Sequence, residues 1–579
     1  MANELSIVLC GAAGQGVQTV EVLLVKALGS SGYHVFSTKE SMSRVRGGNN
    51  STEIRISEVH REAFVDRIDL LVPINGGLRK NIWKRLDSST IVLGDREELK
   101  EEFEGKEIRF IDVPFLGIAR EAGGAVTANS VAAAVLCALF RIDFPILETL
   151  LRERFAKTPE MLEKNLLSAE KGYERGTILL EKGEFGLTLP KPDPCWRPLL
   201  MDGHKAVSLG SLAGGCNFVT AYPMSPGSGV LAFMAQNASR FEIVVEQVED
   251  EISAVNMVLG AWSAGGRGMA TTSGGGFALM EEGISLSGVA EIPLVIHLGQ
   301  RPGPATGMAT RTEQADLELA LYAGHGEFPR VLFTPGNAEE AFELSRLAFD
   351  WADRYQVPVF ILTDEYLLDS IFELENLEVG KTDFSHHFVE TEPGYARYRV
   401  TESGVSPRGI FRHGRGLVRI DSHEHDEKGH IEEDFDVRER MQKKRMAKLR
   451  LLEEAALPPT VRGNPGSKTR VFCWGSTGPI VAEALERLGD KDVCMVHLKQ
   501  VYPLHNSIQN LVEEAHRIVV VEGNSTGQLA RLIRLHTGRN VEGRILNFRG
   551  HQFSVEEVSE GLRKFLEGGG ENESKRIRY

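Results

Sequence analysis

Residues 5–10 form a short apolar run that ends in Gly11-Ala-Ala-Gly14-Gln15-Gly16, and a helical spacing of apolar positions follows through Ala27. Run, glycines and amphipathic segment read as strand, tight turn and helix. Short apolar runs keep alternating with helix-like segments to about residue 185, with further strands expected at 70–73, 90–94 and 108–113. A second alternating region begins near Lys205, with strands expected at 218–221, 243–245, 268–272, 294–298, 330–333 and 357–362. Helical patterns separate these runs, so they predict a parallel sheet. A third, smaller region predicts strands at 469–474, 493–498 and 517–522. The fold class is therefore α/β, in three α/β domains.

Breaks in the pattern divide the chain. Residues 187–198 hold four prolines and read as a linker. Residues 378–435 are polar and irregular, and 437–456 is a charge-rich helix that reads as a surface connector. The expected organisation is a first domain over 1–186, a linker over 187–204 and a second domain over 205–377. An irregular segment with its connector helix follows over 378–467, then a C-terminal domain over 468–567 and a flexible tail over 568–579.

Bulk properties narrow the function classes. In 579 residues the chain is 42% hydrophobic and 25% charged, as expected of a soluble globular protein. A net charge of −15 argues against nucleic acid or an anionic membrane as partner. The apolar stretch 131–140 is too short to span a bilayer, and no cleavable leader is expected at the N-terminus. The six cysteines form no CxxC pair and no zinc or iron–sulfur spacing, which suits a reducing cytoplasm. No metal ligands are assigned to this chain.

Several constellations can carry chemistry. Gly14 and Gly16 let a backbone approach phosphate at a helix N-terminus. The acidic residue of a dinucleotide fingerprint, about 20 residues on, is poorly matched by His34–Glu40, so a structural turn or a partner contact stays open. Arg44 and Arg46, beside Gly47 and Gly48, suit either an anion such as coenzyme A or a salt-bridged interface loop. Four loops follow successive strands of the second region: 222–228 with Ser225, 246–251 ending at Glu251, 271–277 with Ser273, Gly274, Gly276 and Phe277, and 300–307 with Arg301. Strand ends of one parallel sheet converge, so together these loops make a site. Four carboxylates near a helix start ordinarily form a solvated cap, but Glu251 sits where the sequence turns apolar. Arg301 is read either as a holder of a carboxylate or as half of a structural ion pair. His325 is read as a loop histidine or a proton donor. His423, His425 and His430 are weighed as metal ligands against a solvated loop.

These motifs resemble the α subunit of 2-oxoacid:ferredoxin oxidoreductases with that family's γ domain fused at the N-terminus. The resemblance rests on YPMSPGS at 222–228, Glu249-Asp250-Glu251, TSGGGFALME at 272–281, QRPGPATGMATRTEQADL at 300–317, His325-Gly326-Glu327, 358–364 and 422–429, with GAAGQG and RVRGGNN upstream. It implies a pyrimidine-type thiamine-diphosphate-binding fold in the centre and a transketolase C-terminal-like fold at the end. It implies oxidative decarboxylation of a 2-oxoacid, 2-oxoglutarate first among the candidates, with coenzyme A to acyl-CoA, carbon dioxide and reduced ferredoxin. Pyruvate, branched-chain and aryl 2-oxoacids are the alternatives within the family, and a non-catalytic scaffold subunit is the alternative outside it. Glu251 falls at the family glutamate that hydrogen-bonds the aminopyrimidine ring, and partial burial would keep it protonated. Ser225 falls at the family threonine and Arg301 at the substrate carboxylate. Ser225, with Met224 and Gly227, and Gly275 depart from the family pattern, and the first group leaves the substrate class open. No GDG motif with a downstream NN pair is present, so Mg²⁺, the diphosphate end and the [4Fe-4S] cluster are expected on a β subunit, in an (αβ)₂ assembly.

Overall fold

The computed structural model describes residues 3–12, 16–42, 48–75, 78–103, 108–375, 377 and 385–568. Two units emerge, Met1–Met201 with Asp369–Leu377, and Asp202–Leu368 with Glu378–Tyr579.

The first unit is built on an eight-stranded mixed sheet. In space its strands run Arg109–Asp112, Ile91–Gly94, Leu70–Asn75, Glu4–Ala12, Asn49–Ser57, His34–Glu40, Ile371–Leu374 and Leu199–Asp202. Glu4–Ala12 is central, parallel to Leu70–Asn75 and antiparallel to Asn49–Ser57. Ile7, Val8 and Leu9 are all buried, so both faces of this strand are covered. On one face the small-residue helix Ala128–Leu139 packs against Pro159–Glu181. Gly172 lets the two backbones meet, since a Cβ there would lie 2.6 Å from Val131 O. The strand Ile371–Leu374 pairs with His34–Glu40, a return that the sequence pattern does not announce. Gly16 opens the helix Val17–Ser30 in the left-handed region, at φ 79°. Gly14, Arg44 and Arg46 lie outside the described residues.

The second unit holds two large sheets. In the seven-stranded sheet the strands run Gln500–Tyr502, Val331–Phe333, Pro358–Asp364, Leu294–Gln300, Gly268–Thr272, Phe218–Ala221 and Val244–Gln247. All pairs are parallel except that of Gln500–Tyr502 with Val331–Phe333. The five-stranded sheet runs Thr460–Arg462, Val493–Leu498, Thr469–Trp474, Arg517–Glu522 and Gly543–Leu546, with only the first strand antiparallel. Buried apolar runs with β-branched residues make these strands, and amphipathic helices close them, as the α/β pattern predicts.

The charge-rich helix spans Phe435–Ala455, and it is not a purely solvated connector. Met441, Lys444, Arg445, Lys448 and Leu452 are buried at three- and four-residue spacing, which is one face. Lys444 Nζ lies 2.5 Å from Glu291 Oε1, and Lys448 pairs with the other oxygen. Burial alone would raise the Glu291 pKa, but Lys448, Lys444 and Arg397 together hold it far below the usual carboxylate range. Its contribution to stability is therefore present above the ordinary carboxylate pKa and lost only in strong acid. Glu291→Gln would strand two buried ammonium groups. It is expected to cost about 3 kcal/mol in denaturant unfolding. Glu439→Gln, in an exposed pair with Lys443 on the same helix, is expected to leave the midpoint unchanged.

Candidate functional site

The strand order of the seven-stranded sheet reverses beside Phe218–Ala221. From Phe218–Ala221 the chain steps out to Val244–Gln247, then crosses back to Gly268–Thr272 on the other side. Ligands of open parallel sheets sit at the carboxyl ends beside such a reversal. The loops 222–228, 248–250 and 301–316 and the turn at Ser273 all leave that edge.

Glu251 is the first residue of the helix Glu251–Ser263 and is 3% exposed. The helix cap is not its task, because Asp250 accepts the Ser253 N–H at 2.7 Å. Glu251 Oε1 is buried without a hydrogen-bond partner. Burial raises its pKa above the usual range, its own backbone N–H works against that, and the Asp250 charge adds to it. Burial thus favours the protonated form, which is the form that can donate.

The turn after Gly268–Thr272 is shaped around that carboxyl. A Cβ on Gly276 would overlap Thr272 Oγ1 and Glu251 Oε1, with the Glu251 carboxyl carbon 2.7 Å away. Only glycine leaves the carboxyl this room. Ser273 is buried, and its Oγ also lacks a partner. Phe277 is buried beneath the turn, edge-on to Phe360 at 5.1 Å between ring centres. Buried polar atoms without partners are costly in a finished structure, so two beside one glycine turn fit a polar ring seated there. The residues present thus suit the aminopyrimidine end of thiamine diphosphate.

A second carboxyl stands on the same turn. A Cβ on Gly274 would lie 2.6 Å from Asp316 Oδ1. Burial and the neighbouring Glu313 push the Asp316 pKa up to about 7, against the pull of Arg301. Its Oδ2 is buried and has no partner.

Arg301 and Ser225 meet. Arg301 Nη1 donates to Ser225 O at 2.6 Å, so a backbone carbonyl is one of its partners. Arg301 is 9% exposed, and burial lowers its pKa while Glu365 and Asp316 raise it. It remains a cation at every working pH.

The other candidates lie apart from this group. His325 is exposed and its backbone N–H is bound by Ser285 Oγ. His425 is buried with its ring tilted against that of Tyr398, 3.8 Å between ring centres, while Glu424 anchors its loop to Arg445 and Arg438. Among the described residues no group of three histidine, cysteine or acidic side chains has the arrangement of a metal site. Sequence reasoning passed over His297 and the setting of Asp316. A lone histidine inside the apolar run 294–298 was the signal for the first.

Two family models match the chain. One, described as pyruvate ferredoxin/flavodoxin oxidoreductase, covers residues 6–175. The other, described as pyruvate flavodoxin/ferredoxin oxidoreductase, thiamine diphosphate-binding, covers residues 209–444. The chain is 28% identical to 2-oxoacid:ferredoxin oxidoreductase 2, subunit alpha, of Aeropyrum pernix, over 98% of both chains. It is 29% identical to the 2-oxoglutarate synthase subunit KorA of Archaeoglobus fulgidus, over 57% of this chain and 89% of that one. Among solved structures it resembles the 2-oxoglutarate:ferredoxin oxidoreductase of Magnetococcus marinus, solved with 2-oxoglutarate, coenzyme A and succinyl-CoA bound. That likeness has a TM-score of 0.87 at 26% identity, over 97% of this chain and 99% of that one.

Proposed function

The chain belongs to the 2-oxoacid:ferredoxin oxidoreductases as an alpha-type subunit, and from this we infer that it supplies the acid-activating half of the active site. The reaction is the oxidative decarboxylation of a 2-oxoacid, with coenzyme A, to acyl-CoA, carbon dioxide and reduced ferredoxin. Our reading of the preferred acid is 2-oxoglutarate, which the solved relative from Magnetococcus marinus holds together with coenzyme A.

The observation that carries the assignment is the buried Glu251 Oε1, which has no hydrogen-bond partner, in the space that Gly276 leaves open. Thiamine diphosphate, when bound, supplies the carbanion and the electron sink of the reaction. Glu251 holds a proton and presents it to the ring. Ser273, Gly274 and Gly276 shape the turn around that ring, and Phe277 supports the turn from below. Arg301 takes the carboxylate of the acid in a bidentate grip and so orients the oxo carbon. Ser225 offers a hydroxyl to the oxo group. A beta-type partner is assigned the diphosphate, its Mg²⁺ and the iron–sulfur cluster. This chain has no CxxC pair and no GDG motif with which to hold them. Passage of electrons to ferredoxin and a paired assembly of such heterodimers belong to the same reading.

The test is the complex of this chain with its beta-type partner. With 2-oxoglutarate and coenzyme A it should reduce a viologen dye, and faster than with pyruvate, branched-chain or aryl 2-oxoacids. Dye reduction with none of them would leave the scaffold reading in its place. Arg301→Lys should raise KM for the acid about tenfold with a smaller change in kcat, because lysine cannot hold a carboxylate with two parallel bonds.

A further inference from the structure

The loop that carries Ser225 is fastened at two backbone carbonyls. Arg301 Nη1 holds Ser225 O at 2.6 Å, and Thr271 Oγ1 donates to Gly227 O at 3.1 Å. The second bond is the end of a longer chain that passes beneath the site. Thr271 Oγ1 lies 2.8 Å from His297 Nδ1, and His297 Nε2 lies 2.9 Å from Thr363 Oγ1. Gln300 Nε2 donates to Thr363 O at 3.2 Å, and Gln300 Oε1 accepts the Asp316 N–H at 3.1 Å. The path thus runs from the Ser225 loop, across the strands Gly268–Thr272, Leu294–Gln300 and Pro358–Asp364, to the far end of the loop that begins at Arg301.

The direction of each bond around His297 follows from one fact. A carbonyl has no proton to give, so Thr271 must donate to Gly227 O. Its oxygen then accepts from His297 Nδ1–H. That leaves Nε2 bare, as an acceptor for the Thr363 hydroxyl. The imidazole is fully buried, and its burial, with His204 nearby, lowers its pKa to about 3, so it stays neutral and keeps this tautomer. Thr271, Gln300 and Thr363 are buried as well, and a lost bond there finds no ready water to replace it. Apolar residues of the same shape would serve the sheet equally well. The polar path is of use to what stands at its two ends.

We propose that His297 and Thr271 are positioning residues for the 2-oxoacid: they fix the Ser225 loop against the Arg301 loop from below without touching the substrate. The proposal rests on the reading of Ser225 and Arg301 as the residues that hold the acid. It deepens that reading by naming what sets the spacing between them.

The experiment uses the complex with its beta-type partner, assayed for KM and kcat with 2-oxoglutarate and for thiamine diphosphate affinity. Thr271→Val removes the hydroxyl at nearly constant shape. It should raise KM about tenfold, the order of one lost neutral hydrogen bond, with cofactor affinity within about twofold of wild type. Thr271→Ser keeps the hydroxyl and should restore KM. His297→Asn, which keeps a donor near the place of Nδ1–H, should fall between them. A wild-type KM in Thr271→Val overturns the proposal, as does a serine variant as impaired as the valine one. Equal loss of KM and cofactor affinity also overturns it, since that is the mark of general damage. Failure of the underlying reading looks different: there Ser225→Ala and Arg301→Lys leave KM untouched.

Discussion

Glu251→Gln in the assembled complex is expected to lower kcat for the 2-oxoacid about 10³-fold, within the range seen when a positioned acid or base is removed. The two side chains have nearly the same shape, so the cradle at Gly276 and the affinity for thiamine diphosphate should change little. What the amide cannot do is hold an acidic proton on the atom that faces the ring. Burial is the first cause of the raised Glu251 pKa, and it favours the protonated form that the amide cannot mimic. The sign of the accompanying stability effect is set by the same shift. A carboxyl whose folded pKa lies above its unfolded value favours the fold below the unfolded value and loses that advantage as pH rises through the folded one. Wild-type stability should therefore decline relative to Glu251→Gln as pH rises above the ordinary carboxylate range, read from unfolding midpoints of the two chains. Full dye-reducing activity in the glutamine complex would sink the assignment.

Gly276→Ala is the second large effect. The added methyl would overlap the Glu251 carboxyl and the Thr272 hydroxyl, both buried at the root of the turn. Relief requires Glu251 to leave the position from which it presents its proton. Overpacking of this kind costs about 1–3 kcal/mol, so thiamine diphosphate should bind about a hundredfold more weakly, with activity falling at least as far. Gly275→Ala is the matched control. Its methyl would meet only Ala305 O, at 3.9 Å, and its affinity and activity should stay near wild type. Equilibrium dialysis of the cofactor against both complexes separates the two outcomes, and equal binding by both would remove the cradle from the account.

Much of the second unit was legible in the sequence. The strands Gly268–Thr272, Thr469–Trp474, Val493–Leu498 and Arg517–Glu522 have the bounds that the apolar runs predict. Buried parallel strands write themselves as continuous β-branched and apolar text, and glycine or a helix start ends them. The convergence of Glu251, Ser273 and Arg301 was legible for a related reason, since successive parallel strands deliver their carboxyl ends to one edge. The Phe435–Ala455 helix was legible as a helix, but its buried face was not. Charge at most positions reads as solvated, and the partner that buries Lys444 is Glu291, 153 residues away along the chain. No local pattern carries that distance. The same holds for Ile371–Leu374, whose place beside His34–Glu40 is a choice of tertiary pairing. Asp316 reads as an ordinary acidic residue in a polar loop, and only the fold encloses it between Gly274 and Arg301.

The loop that starts at Arg301 ends in a side chain that behaves like a short strand. Gln314 accepts the Gly523 N–H through Oε1 at 2.8 Å, donates its own N–H to Gly523 O at 2.6 Å, and donates Nε2 to Trp474 O at 2.8 Å. Trp474 and Gly523 stand at the carboxyl ends of two strands of the five-stranded sheet, Thr469–Trp474 and Arg517–Glu522. The arginine loop therefore takes its final form against a template made more than 150 residues later in the chain. During synthesis every motif residue from Ser225 to Asp316 emerges well before the surface that shapes its last turn. A nascent chain halted before Gly523 would carry all of these motifs with the Arg301 loop still unmoored, so, on the proposed role of Arg301, competence to hold the 2-oxoacid arrives late, with the C-terminal sheet.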